Sequence, residues 1–111
     1  MKTDFIDDFP AQWLPAAAVY AALGDVMRQK ILLLFDPDEE LSIKQIVESF
    51  PLSRTAIVHH LTVLERAGIL ASRRVGKESL YSVKPQTVLS ALNDLREYIF
   101  ALYPHLDEKG E

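Results

Sequence analysis

The sequence has no cysteine, 4 glycines and a single tryptophan among its 111 residues. Without cysteine there is no disulfide, thiol nucleophile, thiolate metal site or thiol redox switch. No apolar run approaches the ~20 residues of a membrane-spanning helix. No phosphate loop, nucleophile–base pair or paired carboxylates can be placed, so the chain does not read as an enzyme. Met1 to Asp8 is acidic and lacks signal-peptide architecture, which makes the cytoplasm the expected compartment. Internal repeats and low-complexity segments are also missing.

What is present is an apolar fraction of 49%, too high for a disordered chain. The length suits one small domain whose core needs no staple. The net charge of −4 hides an uneven distribution. Residues 1–50 carry −5, residues 51–83 carry +3 and residues 84–111 carry −2. The local field, not the total, decides where a polyanion approaches, so the basic centre is the face to test.

After a polar, acidic stretch over residues 1–9, the pattern turns helical at Pro10. Residues 10–23 are almost entirely apolar, and a helix apolar on all sides must be covered on all sides. A chain this short can hardly do that alone, which points to a subunit partner. Gly24 ends this helix and Asp25 caps the next. Val26, Met27, Ile31, Leu34 and Phe35 mark the second helix, which stops at the turn Asp36-Pro37-Asp38. Ser42 with Gln45 is a capping-box pair, followed by Ile43, Ile46, Val47 and Phe50 at helical spacing. Ser53 caps a fourth helix with a buried stripe of Ile57, Leu61 and Leu64, and Gly68 ends it.

The period then changes to that of strands. Residues 69–75 and 79–83 flank Gly76-Lys77-Glu78, a hairpin whose first central glycine suits a type II′ turn. Pro85 opens the last helix, in which Val88, Leu92, Leu95, Ile99 and Leu102 are spaced 4, 3, 4, 3, a helix-pairing seam. Two helices joined by a tight turn ahead of a basic hairpin define a winged helix-turn-helix. The expected fold is mainly α with a β-hairpin wing. An N-terminal arm spans 1–9, the domain 10–103 and an acidic tail 104–111. The recognition helix covers about 53–67, the wing 69–83, and dimerisation helices 10–23 and 85–103.

With Ile57 facing the core, Thr55, His59, Thr62 and Arg66 point away from it, Arg54 and Val58 flank the N-terminal end, and His60 leans inward. The N-terminal half of a recognition helix reads bases. Ser53, Arg54, Thr55, Val58, His59 and Thr62 are therefore the candidate groove residues. Arg54 suits guanine or phosphate, and Val58 a thymine methyl. Arg73, Arg74 and Lys77 on the wing suit phosphates. His59 and His60 are adjacent on a helix, diverge by ~100° and cannot chelate together.

Three segments resemble one family. Residues 21–32 (AALGDVMRQKIL), 52–70 (LSRTAIVHHLTVLERAGIL) and 76–83 (GKESLYSV) are similar to the opening motif, recognition helix and wing of the ArsR/SmtB family of dimeric repressors. The match runs from about 16 to 100. It implies a homodimer, a DNA-binding repressor and an imperfect palindromic operator in double-stranded DNA. One departure is Val58, where the family commonly has a small polar residue. Arg28 matches a family arginine that is either structural or a phosphate contact.

The resemblance also implies where metal ligands would sit. The two thiolate positions on the third helix hold Ser42 and Lys44. The last-helix positions hold Pro85, Thr87, Tyr98 and Ala101. Neither set is a plausible ligand group. Asp94, His105 and Glu108 copy part of the last-helix spacing, but they lie seven residues out of register and Pro104 interrupts them. No cofactor is expected. Trp13, Leu14, Val19, Tyr20, Val88, Leu92, Leu95, Ile99 and Leu102 are the expected dimer interface. The first and last helices are also aromatic, with Trp13, Tyr20, Tyr98, Phe100 and Tyr103. Dimer packing accounts for most of these rings, and a pocket for a small apolar effector is the sharper alternative. The reading from another class is a winged-helix protein-interaction module without DNA binding.

Overall fold

The computed structural model describes residues 1–106. A 3-10 turn at Ala11–Trp13 leads into α1, Leu14–Leu23. Pro15 sits in the first turn of α1, where its missing N–H leaves no hydrogen bond unmade. Gly24 breaks the helix without a left-handed φ. Asp25 then caps α2, Val26–Leu34, accepting from the Arg28 amide at 3.0 Å. A turn with Asp38 at φ 63° follows.

The next element escapes sequence periodicity. Leu41–Ser42 is a two-residue strand, β1, too short to show alternation. Ser42 also begins α3, Ile43–Ser49, through a complete capping box: the Gln45 amide donates to Ser42 Oγ at 3.2 Å and the Ser42 amide to Gln45 Oε1 at 2.9 Å. α4, Arg54–Arg66, is capped by Ser53, whose Oγ accepts from the Ala56 amide at 3.1 Å. Gly68, at φ +80°, closes it, and a Cβ there would lie 3.3 Å from Thr87 Cγ2.

β2, Leu70–Val75, and β3, Glu78–Val83, pair antiparallel from Leu70↔Val83 to Val75↔Glu78, so the loop is Gly76-Lys77. Gly76 has φ +63° and Lys77 does not, as a type II′ turn requires. β1 adds to the far edge of β3, making a three-stranded sheet in the order β1-β3-β2 where a two-stranded hairpin is expected from sequence. α5, Pro85–Leu102, and a 3-10 turn at Pro104–Leu106 complete the described chain.

Ile31, Ile46, Ile57, Leu61, Leu64, Ile69 and Leu70 are fully buried and draw α2, α3, α4 and β2 together. Three of these seven lie on α4, so its opposite face is held rigidly outward. The long α5 buries only Ala91 and packs on α1. The radius of gyration is 17.3 Å, against about 13 Å for a compact domain of this length.

Candidate nucleic-acid interface

The exposed face of α4 carries Arg54, Thr55, Val58 and His59, with Thr62 half-buried one turn on. Two of the groups expected to read DNA have other hydrogen bonds. Ser53 Oγ is engaged as the cap, and the Thr62 hydroxyl donates to the Val58 carbonyl at 2.8 Å. Arg54, Thr55, Val58 and His59 therefore form the exposed surface of α4 without other side-chain hydrogen bonds among the described residues, with Val58 37% exposed.

The wing does not offer three equivalent cations. Arg73 and Arg74 alternate across β2 as strand geometry demands. Arg73 turns to Glu40 and donates from Nε at 2.7 Å and from its second terminal nitrogen at 2.8 Å, a bidentate pair. The Arg73 hydrogen bonds hold the Glu40 carboxyl below its usual range, and Glu40 in turn raises Arg73. Arg73 is thus neutralised by a residue 33 positions away in sequence. Arg74 turns the other way. Together with Arg54, Lys77 and Lys44 it lines one concavity of about 160 Å³, shared with Ser42, Ile43, Glu78 and Ser79. Four cations and one carboxylate converge there, drawn from α3, α4 and both strands of the wing.

Lys44 is the functional candidate missed in the sequence, where it reads only as a failed metal ligand. Its place becomes visible once β1 pairs with β3 through Ser42↔Leu80, which docks the start of α3 against the wing.

Arg28 resolves in favour of a structural role. Its side chain is 14% exposed, and its Nε donates to the Ala22 carbonyl at 2.7 Å and a terminal nitrogen to the Ala21 carbonyl at 3.3 Å. It also lies 3.3 Å from His60 Nδ1 and 3.8 Å from Asp25. The Arg28 amide hydrogen bond, with the nearby Arg28 and His60 charges, lowers the Asp25 pKa against opposing burial. Arg28 therefore ties the end of α1 to α2 and α4.

The expected dimer residues divide. Val19 is 2% exposed and packs into the core of its own chain, so it is not surface available to a partner. Val88 is half-buried against the same core. Tyr20 donates its hydroxyl to the Ala91 carbonyl of α5. By contrast Leu14, Leu92, Leu95, Ile99 and Leu102, joined by Leu89, remain exposed. In the N-terminal arm the Phe5 and Phe9 rings lie 5.9 and 6.1 Å from Trp13.

The metal positions implied by the resemblance do not fit a metal. Ser42 uses both its amide and its Oγ in the capping box, and Lys44 is a cation facing other cations. His105 meets Tyr103 edge-on at 6.4 Å, and Glu108 lies outside the described residues.

A rigid two-helix unit with an exposed polar face, flanked by a basic hairpin, defines a winged helix-turn-helix DNA-binding protein. Comparison with known proteins carries this further. A family described as a helix-turn-helix domain matches residues 23–73. The transcriptional repressor SdpR of Bacillus subtilis is 30% identical over 81 residues, covering 73% of this chain and 89% of that protein. The arsenic resistance transcriptional regulator ArsR1 of Pseudomonas putida is 34% identical over 68 residues, covering 61% of this chain and 53% of that protein. An ArsR-like transcriptional regulator from Rhodococcus superposes with a TM-score of 0.76 at 27% identity, covering 87% of this chain and 91% of that one. The chain belongs to the ArsR family of winged helix-turn-helix transcriptional regulators. It is a DNA-binding regulator and not an enzyme. No helix among the described residues is long and apolar enough to cross a membrane.

Proposed function

We propose that this chain is a homodimeric cytoplasmic repressor that places α4 in the major groove of an imperfect palindrome and responds to a signal other than a metal. The observation that carries the DNA-binding part is the convergence of Lys44, Arg54, Arg74 and Lys77 beside the exposed face of α4. Arg54, Thr55, Val58 and His59 contact base edges or adjacent phosphates. Lys44, Arg74 and Lys77 hold the flanking backbone, while Ser53 and Thr62 shape the helix rather than read sequence. Arg73 braces the wing through Glu40.

Dimerisation is supported by α5. Leu89, Leu92, Leu95, Ile99 and Leu102 are each 37–52% exposed along one helix, and a second copy is the simplest cover for them. Two-fold symmetry then sets half-sites about 10 bp apart or a multiple of that. The non-metal signal is supported by the donor chemistry at Ser42 and Lys44. An effector would occupy the aromatic region between α1 and α5.

Shift assays on the chain's own promoter test this reading across a range of salt. Affinity should fall steeply with salt and depend on promoter sequence. Binding that is absent at low salt would instead support a protein-interaction module.

A further inference from the structure

The cleft between α1 and α5 has a chemistry more specific than apolar. α1 and the 3-10 turn before it contribute Trp13, Ala16, Ala17 and Tyr20, spaced i, i+3, i+4, i+7. α5 contributes Asp94, Leu95 and Tyr98, and Phe9 of the arm closes one side. The two alanines leave the floor open between large rings, giving a cavity of about 240 Å³. That is below the ~300–1,000 Å³ of drug-sized ligand sites, so it suits a single-ring ligand. The walls are held in place: Trp13 meets Tyr98 edge-on at 5.0 Å, and the Tyr20 hydroxyl is tied to the Ala91 carbonyl.

Asp94, exposed at the rim, is the one charged residue lining this cleft, and its carboxylate has no hydrogen bond or ion pair among the described residues. Arg66 lines a neighbouring cavity that shares Ala16 and Asp94, yet forms no ion pair with that carboxylate. Aromatic faces carry partial negative charge and attract cations. A carboxylate at their rim repels anions and adds its attraction for a cation to that of the rings.

We infer that the cleft binds a small organic cation, an aromatic or alkyl ammonium, with its charge against Asp94 and its apolar part over Ala16 and Ala17 among the rings of Trp13, Tyr20 and Tyr98. This rests on the effector reading above and names the ligand class. The shared Asp94 also lines the cavity reached by Arg66 at the end of α4, which brings the cleft to the base of the recognition helix.

The test uses the full chain and three single-ring probes: benzyltrimethylammonium, its neutral isostere neopentylbenzene, and the smaller anion benzoate. Trp13, the single tryptophan, reports binding by fluorescence, and calorimetry confirms it. The cation should give a saturable response roughly tenfold tighter than the neutral isostere, with none from benzoate. Asp94→Asn should remove that tenfold preference while far-UV circular dichroism is unchanged. Ala17→Leu, which fills the floor, should abolish the response. Equal binding of the cation and its isostere, unaffected by Asp94→Asn, would overturn the cationic class but keep the cleft as an effector site. Silence from all three probes would overturn both, and a response that survives Ala17→Leu would place the site elsewhere.

Discussion

Arg28, Arg54 and Arg73 are the same residue type with three different uses. Arg28 spends its donors on the carbonyls at the end of α1. Replacing it with alanine strands those acceptors at a helix junction, and the expected cost is about 1–3 kcal/mol, read as a lowered denaturation midpoint. Arg54 is exposed at the start of α4, so Arg54→Ala should leave stability unchanged and weaken operator binding by roughly 1–3 kcal/mol. Arg73 belongs to a surface pair. Because Arg73 depresses the Glu40 pKa, the pair stabilises the fold above the usual carboxylate range, and that contribution is lost as pH falls through the folded Glu40 value. Resolved by NMR titration, Glu40 should titrate at higher pH in Arg73→Ala. In shift assays Arg74→Ala and Lys44→Ala should flatten the salt dependence more than Arg73→Ala does. Equal effects from all three would contradict the neutralisation of Arg73 by Glu40.

The decisive features of the elements are their ends. α3 has only seven residues and relies on its capping box, since short helices are marginal without tertiary help. Ser42 is buried and serves as both strand and cap. Ser42→Ala should cost about 1 kcal/mol, visible in chemical denaturation. Gly68 has a tighter constraint. Its left-handed φ strains any other residue, and an added Cβ presses on Thr87 at 3.3 Å. Gly68→Ala should lower the thermal midpoint more than Gly76→Ala, which has the same sign of φ but open space around it. These endings were readable in sequence because capping and turn chemistry are local. β1 was not, because its ladder partners are Leu80 and Tyr81, some 40 residues downstream by number.

At the scale of the molecule the question is what covers α5. α5 buries one residue of its own while exposing five large aliphatic ones, the kind of patch that marks an interaction surface. Light scattering should report twice the chain mass. Leu92→Asp with Ile99→Asp should halve it and abolish operator binding, because one half-site contact lacks the affinity of two. A variant that is monomeric yet binds with undiminished affinity would refute the two-fold arrangement.

The sequence by itself determined the helices, their caps, the type II′ turn and the outward face of α4. Each of these depends on residues within a few positions of one another: a side chain that meets a nearby amide, a glycine that accepts positive φ, a buried stripe at i, i+4, i+7. It also located the basic centre, since charge can be summed along a chain. Only the tertiary structure decided which cations are free. Arg73 is paired with Glu40 and Arg28 is folded into a helix junction, whereas Lys44 joins the wing. It likewise placed Val19 in the core and Asp94 at the rim of the α1/α5 cleft. The physical reason is that ion pairing, burial and cavity shape depend on distance in space, and the sheet and helix packing set that distance between residues 30 to 80 positions apart in the chain.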